Sequence, residues 1–145
     1  MVSEISVSLS LFVEHGQQQA AADFYAAAFG AQKVQDHFRD GLLMAVDLLI
    51  GSMPISVAGA NPKRQANPAL GGPFHPRSAG AVSAVLRVTV RDLDTVVAQA
   101  LAAGATVRDA IEQDDTGSRS AALFDPFGHI WSLTQLKADA ARLAA

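Results

Sequence analysis

Asp47 is the only acid in the apolar run Met44-Ala45-Val46-Asp47-Leu48-Leu49-Ile50. A carboxylate in such a run must be paired or neutralised, because loss of water disfavours its charge. That makes it a candidate general base, or an anchor for a hydrogen-bonded ligand. Arg87 is its natural counter-charge. In Val85-Leu86-Arg87-Val88-Thr89-Val90, period-two alternation puts Val85, Arg87 and Thr89 on one strand face. A guanidinium there would grip a carboxylate, phosphate or phosphonate bidentately, pair with Asp47, or span an open sheet edge. The histidines are His15, His37, His75 and His129. No two stand at HxH or HExxH spacing, so there is no local metal motif. His15 ends the first apolar strand, at the mouth of a pocket or in a surface turn. His37 falls in a short strand, on its outer surface. His75 lies in a proline-rich segment and enters a pocket only if that segment closes. His129 follows Pro126-Phe127-Gly128 and caps a hairpin; Arg119, beside Gly117-Ser118, ties down a turn. No GxSxG elbow, P-loop or GxGxxG is present.

The elements that must position these residues repeat. Ile5 to Val13 alternates as a strand, with Phe12 on the face of Ser10 and Ile5, Val7, Leu9, Leu11 and Val13 on the other. Gln17 to Phe29 is an alanine-rich helix ended by Gly30. Gln32 to Arg39, Leu42 to Ile50 and Met53 to Ala58 read as three strands, joined at Asp40-Gly41 and Gly51-Ser52. The order then recurs. Ala81 to Val90 is a strand, Asp92 an N-cap, and Leu93 to Ala103 a helix ended by Gly104. Strands at Thr106 to Ile111, Ser120 to Phe124 and Ile130 to Gln135 complete it. The expected division is a first βαβββ module over 1–60, a Pro/Gly-rich linker loop over 61–80, a second module over 81–136, and a tail or short helix over 137–145.

Composition narrows the function. Half of the residues are hydrophobic and 17% charged, as in a folded globular protein. A net charge of −3 leaves no basic footprint for nucleic acid. The absence of cysteine excludes disulfides, thiolate metal sites and a thiol nucleophile. No run approaches the roughly 18 apolar residues of a membrane span, and no leader pattern is visible at Met1-Val2-Ser3-Glu4, so a cytoplasmic protein is expected.

The chain resembles the vicinal oxygen chelate superfamily of glyoxalases, bleomycin-resistance proteins and dioxygenases. Phe24-Tyr25 with Phe29-Gly30-Ala31 is similar to the family's first-helix signature. Asp92-Leu93-Asp94 leading to Ala102-Ala103-Gly104-Ala105 is similar to its second. Asp125-Pro126-Phe127-Gly128-His129-Ile130-Trp131-Ser132-Leu133 resembles the terminal hairpin of the PhnB-like branch. The resemblance implies an α+β fold of two βαβββ modules, with cup-shaped, mostly antiparallel open sheets and helices outside. In metal-using members four cup residues hold a divalent ion. Counting from the motifs, those positions fall on Ser10, Asp47, Val85 and Ser132. One carboxylate, two hydroxyls and a valine make a poor ligand set, so no metal and no cofactor are expected. The expected function is small-molecule binding in the cup, by a homodimer. Ser10, Phe12, Asp47, Val85, Arg87, Thr89, Phe124 and Ser132 line the site, and Asp47 is the best catalytic candidate. The alternative is a metal-dependent lyase or dioxygenase-type enzyme acting on a small oxygenated substrate. Trp131 alternates with Ser132 and points away from the cup, into the core.

Overall fold

The computed structural model describes residues 4–137, and the expected C-terminal tail or helix lies almost wholly outside them. The described chain divides into two compact units. One holds the residues up to Ala26 and Gly30–His75; the other holds Ala27–Phe29 and the residues from Pro76 on.

The first unit contains β1 (Leu9–Val13), α1 (Gln18–Phe29, whose last turn groups with the second unit), β2 (Gln32–Arg39), β3 (Leu42–Ile50), β4 (Met53–Gly59) and a short α2 (Pro62–Ala66). Its sheet runs β1-β4-β3-β2, with β1 and β4 parallel and the other pairs antiparallel. Leu11, Val13, Val46, Leu48, Ile55 and Val57 alternate along three strands and are all buried. This apolar face fixes the register, because a one-residue slip would turn it outward. Asp40 and Gly41 close the β2–β3 hairpin at φ of 51° and 77°, the left-handed pair that a tight two-residue turn requires.

In this unit two segments depart from expectation. The first strand begins at Leu9, not Ile5. Beyond Leu9↔Ile55 the next partner on β4 would be Pro54, which has no N–H to give the ladder. Within the proline-rich segment Asn61 caps α2 by accepting from the backbone N–H of Lys63 at 3.0 Å. Pro62 occupies the first turn, where its missing N–H costs nothing. A 3₁₀ turn follows at Pro68–Leu70, and Arg64 Nη1 donates to its terminal carbonyl at 2.8 Å.

The second unit contains β5 (Val85–Val90), α3 (Leu93–Ala103), β6 (Thr106–Gln113), β7 (Arg119–Phe124) and β8 (Ile130–Gln135). Its sheet runs β5-β8-β7-β6, the same order with β5 and β8 parallel. Residues 81–84, expected in the strand, lie outside it. The backbone N–H groups of Ala81 and Val82 are spent in turns, donating to Ser78 and Gly80 carbonyls. Gly80 N–H donates to the Gly128 carbonyl at 2.9 Å, which pins this segment to the β7–β8 turn. α3 packs on β7 and β8 through Leu93, Val97 and Ala100. Asp92 caps it as expected, accepting from Thr95 N–H at 3.1 Å. Trp131 is buried and stacks on Phe29 with ring centroids 4.4 Å apart.

Candidate functional site

In the first unit the sheet face opposite the buried one carries polar residues in register. Ser10 pairs with Ser56, Ser56 with Asp47, and Asp47 with Gln35, so the four form one row across β1, β4, β3 and β2. The adjacent row is Phe12, Ala58, Ala45 and His37. His37 Nε2 meets Asp47 Oδ2 at 2.6 Å, diagonally between the rows. The imidazole and the carboxylate are both well exposed, at 47% and 37% of their side-chain surface. The partner of Asp47 is therefore His37, where the sequence pointed to Arg87. The hydrogen bond from His37, then one from Ser56, holds the Asp47 carboxyl below the usual carboxylate range. Burial alone would have raised it; here hydrogen bonding to the charged form wins. A depressed pKa makes Asp47 a weak base, and its chemistry is to orient the imidazole beside it.

His37 reaches this face through a bulge. The β2–β3 register shifts between His37 and Phe38, and again between Lys33 and Gln35. Without the first shift His37 would oppose Met44, on the other face from Asp47. Ser56 was also missed, although the two-residue turn Gly51-Ser52 fixes its pairing with Asp47. His37 had no comparable signal.

In the second unit Arg87 pairs with Ser132, which pairs with Ala122. Val85 pairs with Ile130, and Ile130 with Phe124. Thr89 pairs with Thr134. Arg87, Thr89 and Val85 are exposed, while Ser132 and Phe124 are half-buried. Of the four counted ligand positions, Ser10 is on β1, Asp47 on β3, Val85 on β5 and Ser132 on β8. Among the described residues no three His, Asp or Glu side chains gather as a divalent ion would require.

Two other groups are structural. Asp125 is buried and accepts from Phe127 N–H at 2.9 Å, His129 N–H at 3.0 Å and Trp131 Nε1 at 2.9 Å. His129 thus serves the hairpin through its backbone, as expected. Arg119 instead clamps α3, with Nη1 and Nη2 on the two Asp94 oxygens at 2.9 and 3.1 Å and Nη1 on Gln135 Oε1 at 3.3 Å. Asp114 ties down the neighbouring turn, accepting from Thr116 and Ser118 N–H groups.

A repeated βαβββ order with two open four-stranded sheets defines the vicinal oxygen chelate fold. The chain belongs to the glyoxalase-like domain family, whose model matches residues 10–134. An uncharacterized protein from Mycobacterium bovis is 32% identical over 136 residues, covering 93% of this chain and 87% of its own. A glyoxalase/bleomycin resistance protein/dioxygenase family enzyme from Burkholderia phytofirmans is 19% identical with a TM-score of 0.68, over 90% of this chain and 98% of that one. The fosfomycin resistance protein FosX of Listeria monocytogenes is 15% identical with a TM-score of 0.64, over 94% of each chain. At these two identities the likeness is one of fold.

Proposed function

We propose that this chain is a glyoxalase/bleomycin-resistance-like protein that binds a small molecule on the open face of its sheet without a catalytic metal. One observation carries the reading: the exposed His37–Asp47 pair adjoins both a hydroxyl row and an apolar row. A ligand laid across the face would set its apolar body on Phe12, Ala58 and Ala45. Its polar group would meet His37, Asp47 and Ser56. In the second unit Arg87 and Ser132 beside Val85 and Phe124 offer the same mixture, with a guanidinium for an anionic group. The metal-dependent alternative requires several strong donors at one point. The counted set Ser10, Asp47, Val85 and Ser132 supplies one, and His37 already engages it. The sequence Asp125 to Leu133 supports placement in the PhnB-like branch.

Elemental analysis of protein purified without chelator should find zinc, manganese, nickel and iron far below one per chain. A thermal-shift screen of small drugs and metabolites should yield a stabilising ligand. Phe12→Ala and Asp47→Asn should each weaken that ligand about tenfold, as expected for losing one apolar wall or one charged hydrogen bond. Stoichiometric metal, or a ligand indifferent to both substitutions, overturns the reading.

A further inference from the structure

The open face of the second sheet is graded along its strands. Three rows cross it in register. Val85, Ile130, Phe124 and Thr106 form a mainly apolar row. Arg87, Ser132, Ala122 and Asp109 form the next, and Thr89, Thr134, Ser120 and Glu112 the third. Arg87 therefore stands between hydrocarbon on one side and hydroxyls on the other. Gly80 lies against the apolar end, where a Cβ would come within 3.0 Å of Phe124 Cε1 and 3.7 Å of Ile130 Cδ1. Its N–H donates to the Gly128 carbonyl at 2.9 Å, so this segment is fixed and gives the apolar end a wall as well as a floor.

Arg87 is the one cationic side chain in these rows, and it is exposed. Among the described residues it forms no ion pair or hydrogen bond, whereas Arg108 and Arg119 are each held by an aspartate. A guanidinium with its donors unspent matches a planar oxyanion, which it grips bidentately. Thr89 stands two residues along β5, about 7 Å away, and Ser132 one strand over, about 5 Å away. Hydroxyl donors thus flank the same spot. One positive charge balances one negative charge, which favours a carboxylate over a phosphate dianion. Asp109 and Glu112 oppose an anion only from β6, three strand spacings or about 14 Å from β5. That exceeds the Debye length of about 8 Å at physiological salt, so their repulsion is largely screened. Asp109 is moreover paired with Arg108.

Granted ligand binding on open sheet faces, on which this rests, we infer that the second face takes a small monocarboxylate with an apolar body. The carboxylate sits on Arg87 with hydrogen bonds from Thr89 and Ser132, and the hydrocarbon part lies on Val85, Ile130 and Phe124. All six residues belong to the second unit, so the ligand class is decided there and not by His37 and Asp47.

The test is a titration of the full chain followed by ¹⁵N–¹H correlation spectra, with phenylacetate as probe and 2-phenylacetamide as its uncharged match. Phenylacetate should give saturable shifts at Arg87, Thr89, Ser132 and Phe124 with an affinity of about 0.1–1 mM. The amide should bind about tenfold more weakly, and Arg87→Gln should cost the acid about the same factor. Arg87→Lys should fall between, because it keeps the charge and loses the fork. Replacing an exposed, unpaired arginine should leave the urea unfolding midpoint unchanged, so lost affinity is not lost folding. Val85→Ser should weaken acid and amide alike, by about threefold, since it removes only apolar contact. Equal binding of acid and amide, full affinity in Arg87→Gln, or inorganic phosphate binding as tightly as phenylacetate overturns the proposal. Absence of a saturable phenylacetate shift also overturns it. If the ligand from the thermal-shift screen still weakens in Phe12→Ala and Asp47→Asn, the sheet-face reading survives that failure.

Discussion

Two aspartates show how surroundings decide what one side chain does. Asp125 is buried and accepts from two backbone N–H groups and an indole; Asp47 is well exposed and faces one imidazole and a hydroxyl. The first is a structural keystone and the second is available to a ligand. Removing Asp125 takes away the carboxylate that accepts from the Phe127 and His129 N–H groups and the Trp131 indole, of which His129 and Trp131 are buried. A buried donor left without a partner costs about 1–3 kcal/mol. Asp125→Ala should therefore lower unfolding free energy by about 3 kcal/mol or more in urea titrations. Asp125→Asn should cost less, since one carbonyl oxygen survives. A loss under about 1 kcal/mol in the alanine variant would mean that the hairpin is held by its backbone alone.

Among the elements, the start of α1 is anchored by a buried amide. Gln18 Oε1 accepts from Gly16 N–H at 2.7 Å, and its Nε2 donates to the Leu43 and Met44 carbonyls at 3.1 and 3.3 Å. It lies across Gly59, where an added Cβ would overlap the amide nitrogen. Gly59→Ala should therefore push Gln18 off its two carbonyls and cost about 1–3 kcal/mol by thermal or urea unfolding, with the strand itself intact. A neutral Gly59→Ala would show that Gln18 has another seat. The sequence could be read for element order, helix ends and the Asp40-Gly41 turn, because those are local: periodicity, capping residues and left-handed positions sit within a few residues of each other. The Ser56–Asp47 pairing was equally open, since a two-residue turn dictates it. His37 was not, because the ladder skips Met44 of β3 between His37↔Ala45 and Phe38↔Leu43, and no residue type there announces a bulge. Gln18 was missed for a related reason. Its polarity at a helix start reads as surface, and only the approach of Gly59 and β3 makes it interior.

At the scale of the whole molecule, carboxylates that accept stabilising hydrogen bonds are spread over both units. The hydrogen bond from Lys33 lowers the Asp23 carboxyl, His37 lowers Asp47, the Thr95 hydroxyl lowers Asp92, Arg119 lowers Asp94 and the Thr116 hydroxyl lowers Asp114. Each of these groups keeps much contact with water, so each contributes modestly and only the sum is conspicuous. The sign follows from linkage. A folded pKa below the unfolded value of about 3.9 means that the unfolded chain binds more protons near pH 4. The stabilisation is complete above the unfolded value and disappears as pH falls through the folded ones. The urea midpoint should accordingly drop steadily between about pH 5 and pH 2.5. Asp94→Asn removes one of the lowered carboxyls and the charge facing Arg119. Its midpoint should start lower than that of the parent at pH 5 and approach it at the acid end, where the parent has also lost that charge. Parallel curves for the two proteins across this range would show that the Asp94–Arg119 clamp makes no electrostatic contribution to the stability of the second unit.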